Sequence, residues 1–287
     1  MTPGARFPIR PRRSFFALAV AVLAVVLLSG FRSAPRETIR ISGTGGAIGT
    51  MRILGAEFRK SNPGIRIDIL SGMGSSGGVK AVLAGRLDIG LCARPLKDEE
   101  RAQGAVETKY ARTPYVFGVN PTLKMTGLTL EEVARIYSGE RDWENNKRIR
   151  LILRPLHDSD TPVLKGMSPG MSAAIDVAVG REGMIFAMTD QEAADVLESV
   201  PGAFGGTTLS LFLSEKRKFR LISLNGVMPG LRTMANRSYP YSKTFFMITG
   251  KNPPDPVRRF IDFVRSPAGA AILAKNGQAA LREGPPP

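Results

Sequence analysis

The sequence predicts an α/β fold with a parallel sheet, divided into two lobes. Residues 38–91 alternate strand, helix, strand, helix and strand patterns, with crossovers of about 10–15 residues, which is typical of parallel sheets. A second alternation of strand and helix patterns follows residue 115. Of 287 residues, 43% are apolar and 23% charged, so the chain can bury a sizeable core. No period of roughly 20–50 residues recurs, which excludes solenoids and propellers.

The first alternation opens on a strand at residues 38–42, which runs into the glycine-rich turn SGTGG. Apolar residues at helical spacing then predict a helix that stops at residues 62–64, Asn-Pro-Gly. A second strand at 65–70 ends in a turn rich in glycine and serine. A short helix over 79–84 and a third strand over 87–91 complete the unit.

The second alternation begins with an apolar strand at residues 115–119. Thr129 and Glu132 have the spacing of a capping box, which predicts a helix to Tyr137. A strand at 149–153 then leads into a polar turn. The remaining predicted elements are a capping box at Thr189 and Glu192 with a helix to 199, strands at 219–224 and 244–249, helices at 256–264 and 267–275, and a loose tail at 284–287.

The amino-terminal segment is predicted to direct export. It is basic, with no acidic residue before Pro35, and residues 15–28 form an unbroken apolar run. A positive region followed by an apolar stretch of this length is typical of a secretory signal. The cleavage signals are poor, since Phe31 stands where a lipidated cysteine would be. A retained membrane anchor is therefore the alternative to a cleaved signal.

The charge balance favours anionic partners. The formal net charge is +15, which suits nucleic acid, anionic lipid or small oxyanions. The Lys and Arg residues are spread along the chain and are not clustered with aromatics, which argues against nucleic acid. With one cysteine, Cys92, and one histidine, His157, the sequence excludes an internal disulfide and predicts neither a metal centre nor a cofactor.

Three predicted strand ends carry residues suited to anion capture. These segments, 42–50, 71–78 and 154–161, are rich in glycine, serine and threonine. Glycines let backbone N–H groups approach an oxyanion, and helix N-termini add a partial positive charge. Arg154 adds a two-pronged donor that matches two oxygens. If the two lobes face each other, these donors converge.

An enzymatic interpretation is disfavoured. Residues 43–49 resemble a dinucleotide-binding turn, but Ile48 stands where that pattern needs glycine or alanine. The acidic residue expected at the end of the second strand is also missing, because Asp68 is followed by two apolar residues. His157 is interpreted as a loop residue that shapes the turn after Arg154. We therefore expect a protein that is not an enzyme.

Several stretches resemble one known family. They are GMGSSGGVK at residues 72–80, LDIG at 87–90, RPL at 94–96, the helix at 128–139 with Trp143, the turn at 154–161, and segments near 224–227, 239–240 and 260–269. Together they resemble the substrate-binding proteins of bacterial phosphate ABC transporters. The likeness runs from about Ile39 to Gly277.

The resemblance implies a type II periplasmic binding protein fold, in which two α/β lobes close on a ligand by hinge motion. The crossing strands would lie near residues 114–118 and 241–245. Lobe 1 would then comprise residues 37–115 and 243–287, and lobe 2 residues 116–242. Residues 1–36 would be the signal peptide or anchor.

The resemblance also implies which residues bind the ligand. Ser75, Arg154, Ser159 and Thr161 correspond to the family's hydroxyl and arginine donors. In the first anion loop, Ala47 and Ile48 replace the family's threonine and phenylalanine, which leaves backbone donors there. The complete expected set is Thr44, Gly46, Ala47, Ile48, Ser75, Ser76, Gly77, Arg154, Ser159, Asp160 and Thr161.

Two departures from the family pattern bear on selectivity. Ala93 stands where the family has an aspartate that accepts the proton still carried by phosphate. Without that carboxylate, the site no longer favours a protonated anion over a fully ionised one. Asp160 stands where the family has glycine. Three roles are open for Asp160: it repels an anion, it pairs with Arg154, or it replaces the missing proton acceptor.

The expected function is that of an exported, periplasmic or extracytoplasmic solute-binding protein for phosphate or a similar tetrahedral oxyanion. Its expected partners are the anion and an ABC permease, and we expect a monomer without a cofactor. The alternative is a membrane-anchored sensor or interaction protein on the same fold, with lost or altered anion binding.

Overall fold

The computed structural model describes Met1, residues 37–143 and residues 148–281. Apart from Met1, the predicted export segment at 1–36 lies outside the described residues, as does the predicted tail at 284–287. Among the described residues, no helix combines the length and apolar character that a membrane crossing requires.

Twelve strands and eleven helices are described, numbered in chain order. The strands are β1 (Glu37–Gly43), β2 (Ile65–Ile69), β3 (Ile89–Cys92), β4 (Val106–Val119), β5 (Gly127–Leu128), β6 (Arg150–Leu153), β7 (Ile185–Phe186), β8 (Ala203–Thr208), β9 (Arg220–Leu221), β10 (Ser223–Leu224), β11 (Ser242–Thr249) and β12 (Ala279–Ala280). The helices are α1 (Gly45–Ser61), α2 (Gly74–Leu83), α3 (Asp98–Ala102), α4 (Leu130–Ser138), α5 (Asp160–Lys165), α6 (Pro169–Val179), α7 (Asp190–Ser199), α8 (Leu209–Ser214), α9 (Leu231–Ala235), α10 (Asp255–Arg265) and α11 (Pro267–Lys275).

The main sheet runs in the order β2, β1, β3, β11, β4, β8, β6, β7. Strand β1 lies parallel to β2 and β3, and β6 lies parallel to β8 and β7. Between these two parallel groups, β11 pairs antiparallel with β3 and β4, and β4 pairs antiparallel with β8. Helices connect the parallel strands, as the sequence pattern predicts.

Strand β4 changes partners near its middle. Up to Pro114 it pairs with β11, and from Tyr115 onward it pairs with β8. One large buried apolar cluster draws on residues 39–111 and 245–273, and another on residues 115–239. We use lobe 1 for residues 37–115 and 243–281 and lobe 2 for residues 116–242; these boundaries stay a prediction.

Most of the predicted elements are found, with two corrections. The second helix begins at Gly74 and not at the predicted residue 79, because Gly74 takes a positive φ of 73° that turns the chain directly into the helix. The predicted strand at 219–224 is wrong as a single element. It is divided because β9 pairs with β4, whereas β10 pairs with β5.

Both predicted capping boxes are confirmed. The hydroxyl of Thr189 accepts a hydrogen bond from the backbone N–H of Glu192 at 3.1 Å, and the Glu192 carboxylate accepts one from the backbone of Thr189 at 3.3 Å. Thr129 and Glu132 make the same pair of contacts at the start of α4. These contacts satisfy N–H groups that a helix leaves unpaired at its start.

Replacing Thr189 with alanine is expected to lower the free energy of unfolding by about 1 kcal/mol, the usual cost of losing an N-cap hydroxyl. Urea denaturation followed by circular dichroism measures the change. Thr129→Ala is the matched variant in the same motif and should lose a similar amount. An unchanged denaturation midpoint for Thr189→Ala would contradict the role of the cap.

Candidate functional site

The amino-terminal ends of two helices meet at one edge of the lobe 1 sheet. Strand β1 ends at Gly43, which lies opposite Leu91 of β3. Gly43 has a φ of 146°, and a Cβ there would lie 2.0 Å from the Leu91 carbonyl oxygen, so only glycine fits. Helix α1 then starts at Gly45 and α2 starts at Gly74. Parallel strands place both helix starts at the same edge, where anions are commonly bound.

The predicted first anion loop forms the first turn of α1. The side chains of Ala47 and Ile48 are buried in the lobe 1 core, and the N–H of Ala47 donates to the Thr44 carbonyl at 3.2 Å. Thr44 is buried, and its side chain makes no capping hydrogen bond to α1. Gly46 lies against lobe 2, since a Cβ there would be 2.9 Å from the Thr208 hydroxyl. The N–H of Ala47 is therefore already used within the turn.

Of the three predicted residues in α2, Ser75 reaches lobe 2. Its hydroxyl accepts a hydrogen bond from the Ala93 N–H at 2.9 Å and donates to the Ser159 hydroxyl at 3.5 Å. Ser76 instead accepts a hydrogen bond from Arg94 at 3.1 Å. Gly77 packs against the side chain of Met73.

Arg154 follows the end of β6 and is buried in lobe 2, with 5% of its side chain exposed. One guanidinium nitrogen donates to the Ala187 carbonyl at 2.7 Å, and another donates to Asp158 at 2.7 Å. The second nitrogen also lies 3.8 Å from the Asp190 carboxylate. Burial lowers the pKa of Arg154, but the carboxylates of Asp190, Asp158 and Asp160 outweigh burial and raise it. Arg154 is therefore a fixed cation.

Asp190 links Arg154 to lobe 1. It is the first residue of α7 and is buried. Its Oδ2 accepts a hydrogen bond from the backbone N–H of Gly45 at 3.0 Å, and the same oxygen is the one that faces Arg154. A single carboxylate oxygen thus sits between the start of α1 and the guanidinium of the other lobe.

A second buried cation lies close by. Lys243, at the start of β11, forms an ion pair with Asp160, and each side chain is 1% exposed. Its Nζ also donates to the Ser159 hydroxyl at 2.9 Å. Burial lowers the pKa of Lys243, but Asp160, Asp190 and Asp158 outweigh it and raise the pKa. The hydroxyl of Tyr115 donates to the other oxygen of Asp160 at 3.4 Å. The pKa of Tyr115 is raised well above its usual value, mainly because the side chain is buried and secondly because of the Asp160 charge.

These contacts define what we call the crevice: Gly45, Ser75, Arg154, Asp158, Ser159, Asp160, Asp190 and Lys243. Of the predicted residues, it brings together Ser75, Arg154, Ser159 and Asp160. Thr161 lies at its edge and donates to the Pro155 carbonyl at 3.3 Å. The side chains of Ser76, Ala47 and Ile48 lie elsewhere, and Gly77 packs against Met73.

Three roles were open for Asp160, and the structure pairs it with Lys243 rather than Arg154. Sequence reasoning missed Lys243 and Asp190 as site residues. Lys243 carries little signal, since a lysine at the start of a strand is usually exposed. Asp190 follows the N-cap of a predicted helix, where an acidic residue is expected for the helix dipole alone.

The crevice can hold an anionic oxygen but is not itself positive. Its two cations and three carboxylates leave a net charge of −1. Arg154 also lines a cavity of about 20 Å³ beside Tyr137 and Leu164, and of the crevice residues only Arg154 lines it. No group of three His, Cys, Asp or Glu residues suited to a metal ion occurs in the described part of the chain.

Comparisons of the sequence with a family model and with individual proteins agree with each other. A family model described as PBP superfamily domain matches residues 32–268. The phosphate-binding protein PstS of Borreliella burgdorferi is 26% identical over 212 residues, which are 71% of this chain and 76% of that protein.

Two solved structures share the fold. A phosphate ABC transporter substrate-binding protein with bound phosphate from Clostridium perfringens has a TM-score of 0.73 at 20% identity, covering 86% of this chain and 100% of that chain. The periplasmic molybdate-binding protein of Azotobacter vinelandii has a TM-score of 0.60 at 15% identity, covering 85% and 100%. The predicted periplasmic binding protein fold and the predicted family resemblance are both confirmed.

Proposed function

The chain belongs to the family of the PBP superfamily domain, and from that premise we propose that it is an extracytoplasmic solute-binding protein for phosphate or a similar tetrahedral oxyanion. It binds the anion between its lobes and delivers it to an ABC permease. In this proposal it is an exported monomer that carries out no chemical reaction on its ligand.

One observation carries the proposal. The N–H of Gly45 in lobe 1 and the guanidinium of Arg154 in lobe 2 both approach one carboxylate oxygen, at 3.0 and 3.8 Å. A helix start and a buried arginine are the donors that oxyanion sites in proteins use. Because they come from opposite lobes, an anion held between them favours closure. The hydroxyls of Ser75 in lobe 1 and Ser159 in lobe 2, 3.5 Å apart, offer further donors from opposite lobes.

The similar proteins support the ligand class. The Borreliella burgdorferi relative is named a phosphate-binding protein, and the Clostridium perfringens structure contains phosphate. The same likeness supports the proposed delivery to a permease, because that protein is described as a phosphate ABC transporter substrate-binding protein.

The proposal is tested by calorimetric titration of the purified full chain with phosphate, sulfate, molybdate and tungstate. A saturable heat with one or more of these anions, at a stoichiometry of one, is the expected result. Titration with chloride at matched ionic strength is the control for general charge screening. Silence for every oxyanion would overturn the proposal.

A second function is favoured by the charge of the crevice. Its own ion pairs, Arg154 with Asp158 and Lys243 with Asp160, already satisfy its cations. An anchored sensor or interaction protein that has lost its anion would have such a crevice. Retention in the membrane after export, together with silence in the titration, would support this alternative.

A further inference from the structure

We propose that Asp190 is an internal anion that occupies the oxyanion position in the closed crevice and competes with the incoming ligand. This inference rests on the proposed function, since it concerns how the same site is regulated. The carboxylate would hold the lobes together without ligand, and an oxyanion would bind only by displacing it from Gly45.

The contact has the geometry of a helix cap supplied by the opposite lobe. Helix α1 begins after Thr44, whose side chain makes no capping hydrogen bond. The Asp190 carboxylate accepts from the Gly45 N–H instead, at 3.0 Å. Unpaired N–H groups at a helix start favour a negative charge. The carboxylate therefore satisfies the donor that a bound oxyanion would use.

The absence of a side chain at Gly45 makes this approach feasible. A Cβ at Gly45 would lie 2.7 Å from Asp190 Oδ2 and 2.4 Å from the Gln191 side-chain oxygen. The amide of Gln191 also donates to the Gly45 carbonyl at 3.1 Å. The turn that starts α7 is thus closely fitted to the turn that starts α1.

Asp190 is the carboxylate of the crevice with the longest ion-pair distance, so we expect it to be the one that a ligand displaces. Asp158 contacts Arg154 at 2.7 Å, and Asp160 forms its buried pair with Lys243. Asp190 is farther from the nearest cation, at 3.8 Å from Arg154. If it moves out, the net charge of the remaining four side chains is zero, so an arriving anion no longer meets a surplus of negative charge.

The physical consequence is a reduced apparent affinity for every oxyanion. When only a fraction of the molecules is in the binding-competent state, the apparent dissociation constant equals the intrinsic one divided by that fraction. The competition is with charge alone, so it acts on phosphate and sulfate alike. A carboxylate that accepted a proton from the ligand would instead favour phosphate over sulfate.

The first experiment titrates phosphate and sulfate into the full chain and into Asp190→Asn, Asp190→Ala and Asp176→Asn. Asp176 is an exposed carboxylate on α6 and provides the matched loss of one charge. Both Asp190 variants are expected to bind both anions more tightly, by about 5- to 150-fold, the usual range for coupling between linked events. Asp176→Asn should bind as the unmodified chain does. Weaker phosphate binding by Asp190→Asn with unchanged sulfate binding would overturn the inference, because Asp190 would then accept a proton from the ligand.

The second experiment starts from the ligand-free protein and separates this inference from the proposed function. Met73 and Met188 are both exposed and lie close in sequence to Gly72 and Gln191, which contact each other across the lobes. Spin labels at Met73→Cys and Met188→Cys, with the buried Cys92 left in place, report the separation of the lobes. Asp190→Ala is expected to widen the distance distribution without ligand, and phosphate should narrow it again.

An unchanged ligand-free distance in Asp190→Ala would overturn the inference even if every variant binds phosphate. If no variant binds any oxyanion, the proposed function and the competition inferred from it both fail. The distance measurement then tells whether Asp190 still holds the lobes together.

Discussion

Replacing Lys243 with methionine is expected to lower the free energy of unfolding by about 3–5 kcal/mol, as is typical when one partner of a buried ion pair is removed. Both side chains of the pair are 1% exposed, so methionine leaves the Asp160 carboxylate buried without its cation. Urea denaturation measures the loss. Because the pKa of Lys243 is raised above its ordinary value of 10.5, its stabilising effect is complete at neutral pH and is lost only as pH rises through the raised pKa.

The control is an exposed ion pair of the same type. Lys165 and Asp176 have side chains that are 33% and 61% exposed, and Lys165→Met should cost at most about 1 kcal/mol. The double variant Lys243→Met with Asp160→Asn should recover most of the loss, since no charge is then left buried. Equal losses for Lys243→Met and Lys165→Met would show that the buried pair contributes no more than a surface contact.

The order of strands and helices could be predicted where local signals are strong. The three strands of the first alternation and the capping boxes at Thr129 and Thr189 follow from short stretches of sequence. Strand β8 was missed because its sequence, AFGGTT, contains two glycines, which are rare in strands. Its central position comes from pairing with β4 and β6, which are distant in sequence.

The first half of β4 was missed for a related reason. Residues 106–113 include several charged side chains and do not alternate cleanly between apolar and polar residues. Pairing with β11, more than a hundred residues later, forms this part of the strand. Long-range pairing of this kind leaves little trace in the local pattern.

The residues of the candidate site likewise differ in how far the sequence could predict them. The sequence could predict Arg154, Ser75 and Ser159 as site residues, because each lies in a family-like motif that directly follows a predicted strand. Asp190 and Lys243 could not be predicted, because their importance depends on contacts between lobes, 145 residues apart for Asp190 and Gly45 and 83 for Lys243 and Asp160. The role of Asp160 was undecidable without Lys243, since its choice of cation is a tertiary contact.

Replacing Arg154 with methionine is expected to weaken phosphate binding by about 2–4 kcal/mol, the cost of losing a buried charge-assisted donor. That is a rise of roughly 30- to 700-fold in the dissociation constant. Arg154→Lys keeps the charge but loses the planar guanidinium. Its dissociation constant for phosphate should therefore lie between those of the unmodified chain and Arg154→Met. Calorimetric titration measures all three proteins, and Arg59→Met, an exposed change on α1, should bind normally. An unaltered dissociation constant for Arg154→Met would place the guanidinium outside the site.

Combining Arg154→Met with Asp190→Asn separates two roles that Arg154 could have. If the guanidinium donates directly to the ligand, the combined variant still binds phosphate roughly 30-fold or more weakly than Asp190→Asn alone. If Arg154 serves only to offset the Asp190 charge, removing it from Asp190→Asn changes little, because the charge it faced at 3.8 Å is already gone. We expect the first result, because we propose that a ligand oxygen takes the place of the Asp190 oxygen, which both the Gly45 N–H and Arg154 face.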